Sequence, residues 1–164
     1  MSKINIDTYS NIYKQEVANL IVDIQKNEFG VPINLEEQPD LKEIPRVYQI
    51  NNGNFWIASV TNIVIGTIAL LDIGNGRGAL RKMFVKKEYR GKEFSVGQGL
   101  LNTLFEWAKQ KGFSEILLGT TEKFIAAHRF YEKNGFIQIE KELLPKGFPI
   151  MKVDVKFYKY IVNS

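Results

Sequence analysis

The chain has 164 residues, 45% of them hydrophobic and 24% charged, enough for one good core and short for two, so a single domain over residues 1–164 is expected. With no cysteine and one histidine, His128, it excludes disulfides, thiolate zinc sites, a cysteine acyl-enzyme and a multi-histidine metal centre. The net charge of +4 suits an anionic ligand, but the basic residues are spread out, and no basic helix or aromatic platform motif points to nucleic acid.

The opening stretch "MSKINIDTYS" lacks a signal-peptide apolar core, and the longest apolar runs, such as 63–71, are interrupted and far short of a membrane span. A cytoplasmic protein with no membrane partner is the expectation. From 8 to 29, Ile12, Val17, Leu20, Ile21 and Ile24 recur at helical spacing, with Thr8 or Ser10 as cap and Gly30-Val31-Pro32 as stop. Residues 35–44 are acidic, carry Pro39 and support at most a short helix, ended by Pro45. Strand-like runs follow at 46–50, 55–60, 63–71 and 79–85, and Asn52-Gly53 and Asn75-Gly76 are tight-turn pairs, so the segment reads as an antiparallel meander. "GNGRG" at 74–78 imitates a phosphate-binding fingerprint but precedes a strand, and is read as a hairpin turn.

The stretch "SVGQGLL" at 95–101 opens a helix whose stripe is Leu100, Leu101, Leu104, Phe105 and Ala108 and which ends near Gly112. A short buried strand covers 115–119. A further helix spans 123–134, closed by Asn134-Gly135, and strands are expected at 136–140 and 151–161.

Gly97 and Gly99 in the first turn of a helix need a reason, since each costs up to roughly 1 kcal/mol against alanine. Ser95 with Gln98 three residues on reads as a capping box, and the glycines permit close packing on a strand. A helix start also offers unpaired N–H groups to a phosphate, with glycines leaving room and Arg90 and Lys92 just upstream. The ligand reading is favoured, because alanine ordinarily serves packing without the entropic loss.

With the strand "ALRKMFV", the segment "KKEYRGKEFSVGQGLLNTLFEWAKQKG", the strand "EILLGTT" and the helix "AAHRFYEKNGF", the chain resembles the GNAT superfamily of acetyl-CoA-dependent N-acetyltransferases over 79–140. The resemblance implies an α/β fold, a mixed and mostly antiparallel sheet of six or seven strands flanked by about four helices. It implies acetyl-CoA as cosubstrate and no metal. The family's loop, Arg or Gln, two residues, Gly, one residue, Gly or Ala, is matched with Gly97 last and Ser95 in place of the first glycine, which puts Lys92 at the basic position. The alternative match starts at Arg90-Gly91, with two residues inserted before Ser95.

On this resemblance the backbone of Phe94, Ser95, Val96, Gly97, Gln98 and Gly99 holds the pyrophosphate of CoA, and Met83, Phe84 and Val85 pair with pantetheine like an added strand. Thr120, Ala127 and Tyr131 complete the cofactor set. Ala127, Phe130-Tyr131 and Gly135-Phe136 match the family's A-x-x-F-Y-x-x-x-G-F, while Phe124 stands where an asparagine is common. Tyr131 is the implied catalytic acid for the leaving thiolate; His128 is placed at the surface or the CoA rim. Asp72, Glu122, Glu36 and Glu37 are base candidates on position alone. Without cysteine, the acceptor amine attacks bound acetyl-CoA directly. Residues 29–35 and the loop "LLPKGFP" are expected beside the acceptor, an unidentified small molecule or protein amine, and a homodimer stays open. A catalytically weak CoA-binding module is the competing function.

Overall fold

Alternation and tight turns build the first half of the sheet. The computed structural model describes residues 3–91 and 93–162. In it β2 (Asn54–Val60), β3 (Ile63–Gly74) and β4 (Arg77–Val85) form the expected meander. Thr61 and Asn62 turn with φ of 51° and 67°, and Asn75 and Gly76 with 57° and 73°. Two successive positive φ angles match the right-handed twist of the flanking strands, so both turns close hairpins, "GNGRG" included.

Four further strands extend the sheet: β1 (Ile4–Thr8), β5 (Glu115–Thr120), β6 (Ile137–Ile139) and β7 (Lys156–Ile161). The order is β1-β2-β3-β4-β5-β7-β6. Every neighbouring pair is antiparallel except β4 with β5. Helices α1 (Lys14–Val22), α2 (Ile44–Val47), α3 (Val96–Gln110) and α4 (Ile125–Lys133) flank it. This is the mixed α/β architecture, mostly antiparallel, that the resemblance implies.

Strand β2 is buried along its whole length because both faces are covered. Trp56, Ala58 and Val60 pack with Leu100, Leu101 and Leu104 of α3, while Phe55 and Ile57 pack with Val17 and Ile21 of α1. Helices α3 and α4 both end on a glycine of positive φ, Gly112 at 80° and Gly135 at 95°. The next N–H then reaches back, Phe113 to the Ala108 carbonyl and Phe136 to that of Tyr131, both at 3.0 Å. No helix among the described residues is long and apolar enough to cross a membrane.

Four local expectations are corrected. Residues 46–50 are no strand: Pro45 does not end a helix there but sits in the first turn of α2, where its missing N–H costs nothing. The first helix is shorter, with α1 giving way to a π-turn over Asp23–Glu28 that turns the neighbours Ile24 and Gln25 both inward. Strand β1 was not foreseen, although Ile4 and Ile6 alternate with Asn5 and Asp7. The last strand begins only at Lys156, since Asp154 accepts the Met151 N–H at 3.0 Å and folds 151–154 into a turn.

Candidate active site

An extra residue in β4 opens the sheet. Between the pairs Thr67 with Phe84 and Ala69 with Arg81, β4 spends two residues against one of β3. One of them, Lys82, takes φ of 53°, a β-bulge that bends the strand. Its parallel partner β5 pairs only with Arg77, Gly78 and Ala79. Beyond them the strands diverge, and a cleft open to solvent lies between them. Met83 and Phe84 line one wall and Thr120 the other.

The cleft lies beside the start of α3, where Gly97 approaches Met83 and Val85: a Cβ there would sit 3.5 Å from Met83 Cε and 3.9 Å from Val85 Cγ2. The first-turn N–H groups of Val96, Gly97 and Gln98 have no partner inside the helix. Gly99 differs. Its N–H goes to the Ser95 carbonyl at 2.9 Å, and a Cβ would meet Ile6 Cδ1 of β1 at 2.8 Å, so packing accounts for this glycine.

The capping box expected at Ser95 and Gln98 is not formed. Ser95 holds φ 52°, ψ 27° and does not cap with its side chain; the Gln98 amide instead donates to Asn102 and Asn134, both at 2.9 Å. Phe94 packs edge-on against Tyr89. Arg90 donates to the Val85 carbonyl at 2.8 Å and forms a bidentate pair with Glu28. Its charge already has a partner, which any phosphate must share. Lys92 lies outside the described residues.

Helix α4 turns two polar side chains inward. Tyr131 is 5% exposed and lines the cleft; among the described residues its hydroxyl takes no hydrogen bond. Burial pushes this phenol well above its ordinary value. Of the two positions expected for His128, the surface is not the one it takes: it is 7% exposed. Its Nε2 lies 2.9 Å from the Thr121 carbonyl, which can only accept, so that nitrogen carries the proton. Ala127 stands one turn before Tyr131, half-buried. Phe124 packs edge-on between Phe29 and Phe84, at 5.0 and 6.0 Å between ring centroids, and so lines the cleft with an apolar surface.

The other side of the cleft is polar and was not foreseen. Lys82, 6% exposed, donates to Gln38 Oε1 at 2.5 Å and pairs with Asp40 at 3.5 Å. Gln38 exchanges amide hydrogen bonds with Gln25 at 2.8 and 3.1 Å, and Tyr48 donates to Asp40 at 2.6 Å. Arg81, Lys82 and Asp154 line the cleft, as do Val31, Ile33, Phe148 and Pro149 from the two segments expected beside an acceptor. None of the four carboxylates singled out as base candidates lines it. Asp72 caps the Asn52 and Gly74 N–H groups, Glu37 pairs with Lys152, and Glu36 and Glu122 are exposed. The signal for the polar side was the adjacent pair Arg81-Lys82, two charges inside the strand "ALRKMFV".

Comparison with known proteins gives the family and the fold. The family model described as Acetyltransferase (GNAT) family matches residues 18–136. The probable N-acetyltransferase camello of Xenopus tropicalis is 28% identical over 129 residues, 76% of this chain and 58% of that protein. The N-acetylaspartate synthetase of Xenopus tropicalis is 37% identical over 101 residues, 59% of this chain and 36% of that one. The chain thus spans about half the length of such relatives or less. Among solved structures, an acetyltransferase of the GNAT family from Staphylococcus aureus superposes with a TM-score of 0.95 at 40% identity, covering 98% of this chain and all of that one. The paia N-acetyltransferase of Thermoplasma acidophilum, in complex with coenzyme A, has a TM-score of 0.74 at 19% identity, covering 97% and 99%.

Proposed function

The chain belongs to the GNAT acetyltransferase family, and from that premise we propose that it moves the acetyl group of acetyl-CoA directly to a primary amine. One observation carries the proposal: the parallel strands β4 and β5 part beyond Ala79, and the cleft between them runs beside an open helix start. Pantetheine, with two amide groups, enters that gap as a strand would, along Met83, Phe84 and Val85 and facing Thr120. The diphosphate sits on the N–H groups of Val96, Gly97 and Gln98, at the positive end of the α3 dipole. That the Thermoplasma protein of the same fold is in complex with coenzyme A supports the choice of ligand.

The thioester then lies by Ala127 and Tyr131. A phenol held above its ordinary value stays protonated at neutral pH and is a poor outright proton source for a thiolate of pKa about 8.5. Tyr131 therefore acts by donating a hydrogen bond to the departing sulfur, and the proton that settles there is relayed through it from the amine. With no cysteine in the chain, the amine attacks the thioester in a ternary complex rather than a cysteine acyl-enzyme.

Calorimetry with CoA and acetyl-CoA tests the coenzyme site, and thiol release across an amine panel tests turnover. Saturable binding with release is expected. Absence of heat with either form of the coenzyme overturns the proposal, and binding without release for every amine reduces it to a CoA-binding module.

A further inference from the structure

We infer that the acceptor is a small amino acid, its carboxylate received by Arg81 and Lys82 and its amine by Asp154. The inference rests on the transferase reading and names the substrate class of the same cleft.

Arg81 supplies the first observation. Among the described residues its guanidinium makes no ion pair, and its hydrogen-bond partner is the Met151 thioether, 3.1 Å from Nη2. Five donors facing one weak acceptor, in a half-buried residue lining the cleft, form an incomplete site for an anion. Beside it on β4, the buried Lys82 brings three N–H donors to two acceptors, Gln38 and Asp40. The bulge puts both neighbours at the cleft, where an unbroken strand would send them to opposite faces.

Asp154 supplies the second observation, from the segment entering β7. Its Oδ2 accepts the Met151 N–H at 3.0 Å, while among the described residues Oδ1 takes no partner. Gly119 of β5 makes space for it, since a Cβ there would lie 2.7 Å from Oδ2. Burial raises the Asp154 carboxyl above its ordinary value, against the pull of Arg81 and Lys82, which favours proton uptake.

The cleft therefore presents cationic groups and a carboxylate together. A simple alkylamine leaves Arg81 unmatched, and a polyamine adds positive charge beside Arg81 and Lys82; one small molecule carrying both an amine and a carboxylate answers both. The ammonium gives one proton to Asp154, and the freed lone pair forms the C–N bond at the thioester carbonyl. The C–S bond breaks, the second amine proton passes by way of Tyr131 to the thiolate, and Asp154 returns its proton to water.

The test measures thiol release from acetyl-CoA with each standard amino acid, its carboxamide, isopentylamine and spermidine. At least one amino acid is expected to exceed its carboxamide in kcat/KM by about 10- to 100-fold, the range for charged hydrogen bonds. Arg81→Gln should collapse that ratio by lowering the acid and sparing the amide, and Arg81→Lys should keep part of it. Equal or better turnover of amides, isopentylamine or spermidine, or an unchanged ratio in Arg81→Gln, overturns the inference and leaves the transferase reading standing. No release with any amine overturns both, with CoA calorimetry deciding whether the coenzyme site survives.

Discussion

The layer under α3 and the layer under α1 pack on the same sheet with opposite chemistry. Beneath α3 the buried set is almost wholly apolar, from Leu100, Leu101 and Leu104 to Ile116 and Leu118. On the α1 side an apolar cluster around Phe55, Ile57 and Tyr48 borders a buried polar chain, Gln25, Gln38, Lys82, Asp40 and Tyr48, in which each side chain meets a partner. Apolar area stabilises a fold without direction, whereas a hydrogen-bonded chain fixes positions at little net gain. The α3 layer accordingly holds the sheet together, and the α1 layer ties the segment 38–48 to the bulge in β4, which sets the shape of the cleft.

Substitutions should separate the two layers, and the largest effect is expected under α3. Leu104 is fully buried, so Leu104→Ala should lower unfolding free energy by about 2–5 kcal/mol, measured by urea denaturation, with unchanged kcat in the folded fraction. A loss of kcat at full occupancy of the folded state would break the division.

A smaller stability effect with a larger functional one is expected across the cleft. Asp40→Asn removes the counter-charge of Lys82 and should cost about 1–3 kcal/mol. It should also raise the acceptor KM while leaving CoA affinity unchanged by calorimetry. Adding Lys82→Met should recover part of the stability, because the uncompensated charge goes with it. If the double variant is as unstable as the sum of the two single ones, the pair is not coupled.

The same lysine gives the α1 layer a pH signature. Burial lowers Lys82 to about 8, against about 10.4 in an unfolded chain. Between these values the unfolded state binds a proton that the native state does not, so this group makes stability rise from pH 8 towards 10. The buried Tyr48 and Tyr131 phenols are raised and act oppositely above pH 10, where the unfolded chain loses protons that the native one keeps. Chemical denaturation at pH 7, 8 and 9.5 should show the rise in the parent protein and a flatter profile in Lys82→Met.

The α3 layer was also the more legible of the two from sequence. Periodicity located α3, the Asn75-Gly76 pair located the β3–β4 hairpin, and "AAHRFYEKNGF" placed Tyr131 where it lines the cleft; the other turn pair, Asn52-Gly53, closes no hairpin because 46–50 is not a strand. The polar layer escaped because its partners are far apart in the chain: Lys82 meets Gln38 and Asp40 across more than forty residues, and no local pattern reports such a pairing. Asp154 was hidden in a run that alternates like a strand but turns at 151–154. The burial of His128 was not legible because its inward direction depends on the Thr121 carbonyl, which only the folded backbone supplies.

The smallest expected effects divide two residues that the sequence treats as a pair. At Gly97 an alanine Cβ finds ordinary contacts, 3.5 Å to Met83 Cε and 3.8 Å to Phe130 Cζ, so Gly97→Ala should stabilise the free protein by a few tenths to about 1 kcal/mol. If a diphosphate uses that space, the same change should weaken CoA binding. At Gly99 the Cβ meets Ile6 Cδ1 at 2.8 Å, so the helix gain should be offset by a displaced β1 and CoA affinity should hold. Ile6→Val removes that methyl group, and in its background Gly99→Ala should become stabilising. Equal losses of CoA affinity in the two alanine variants would mean that the open first turn acts through helix geometry alone, and that the room at Gly97 has no part in receiving the coenzyme.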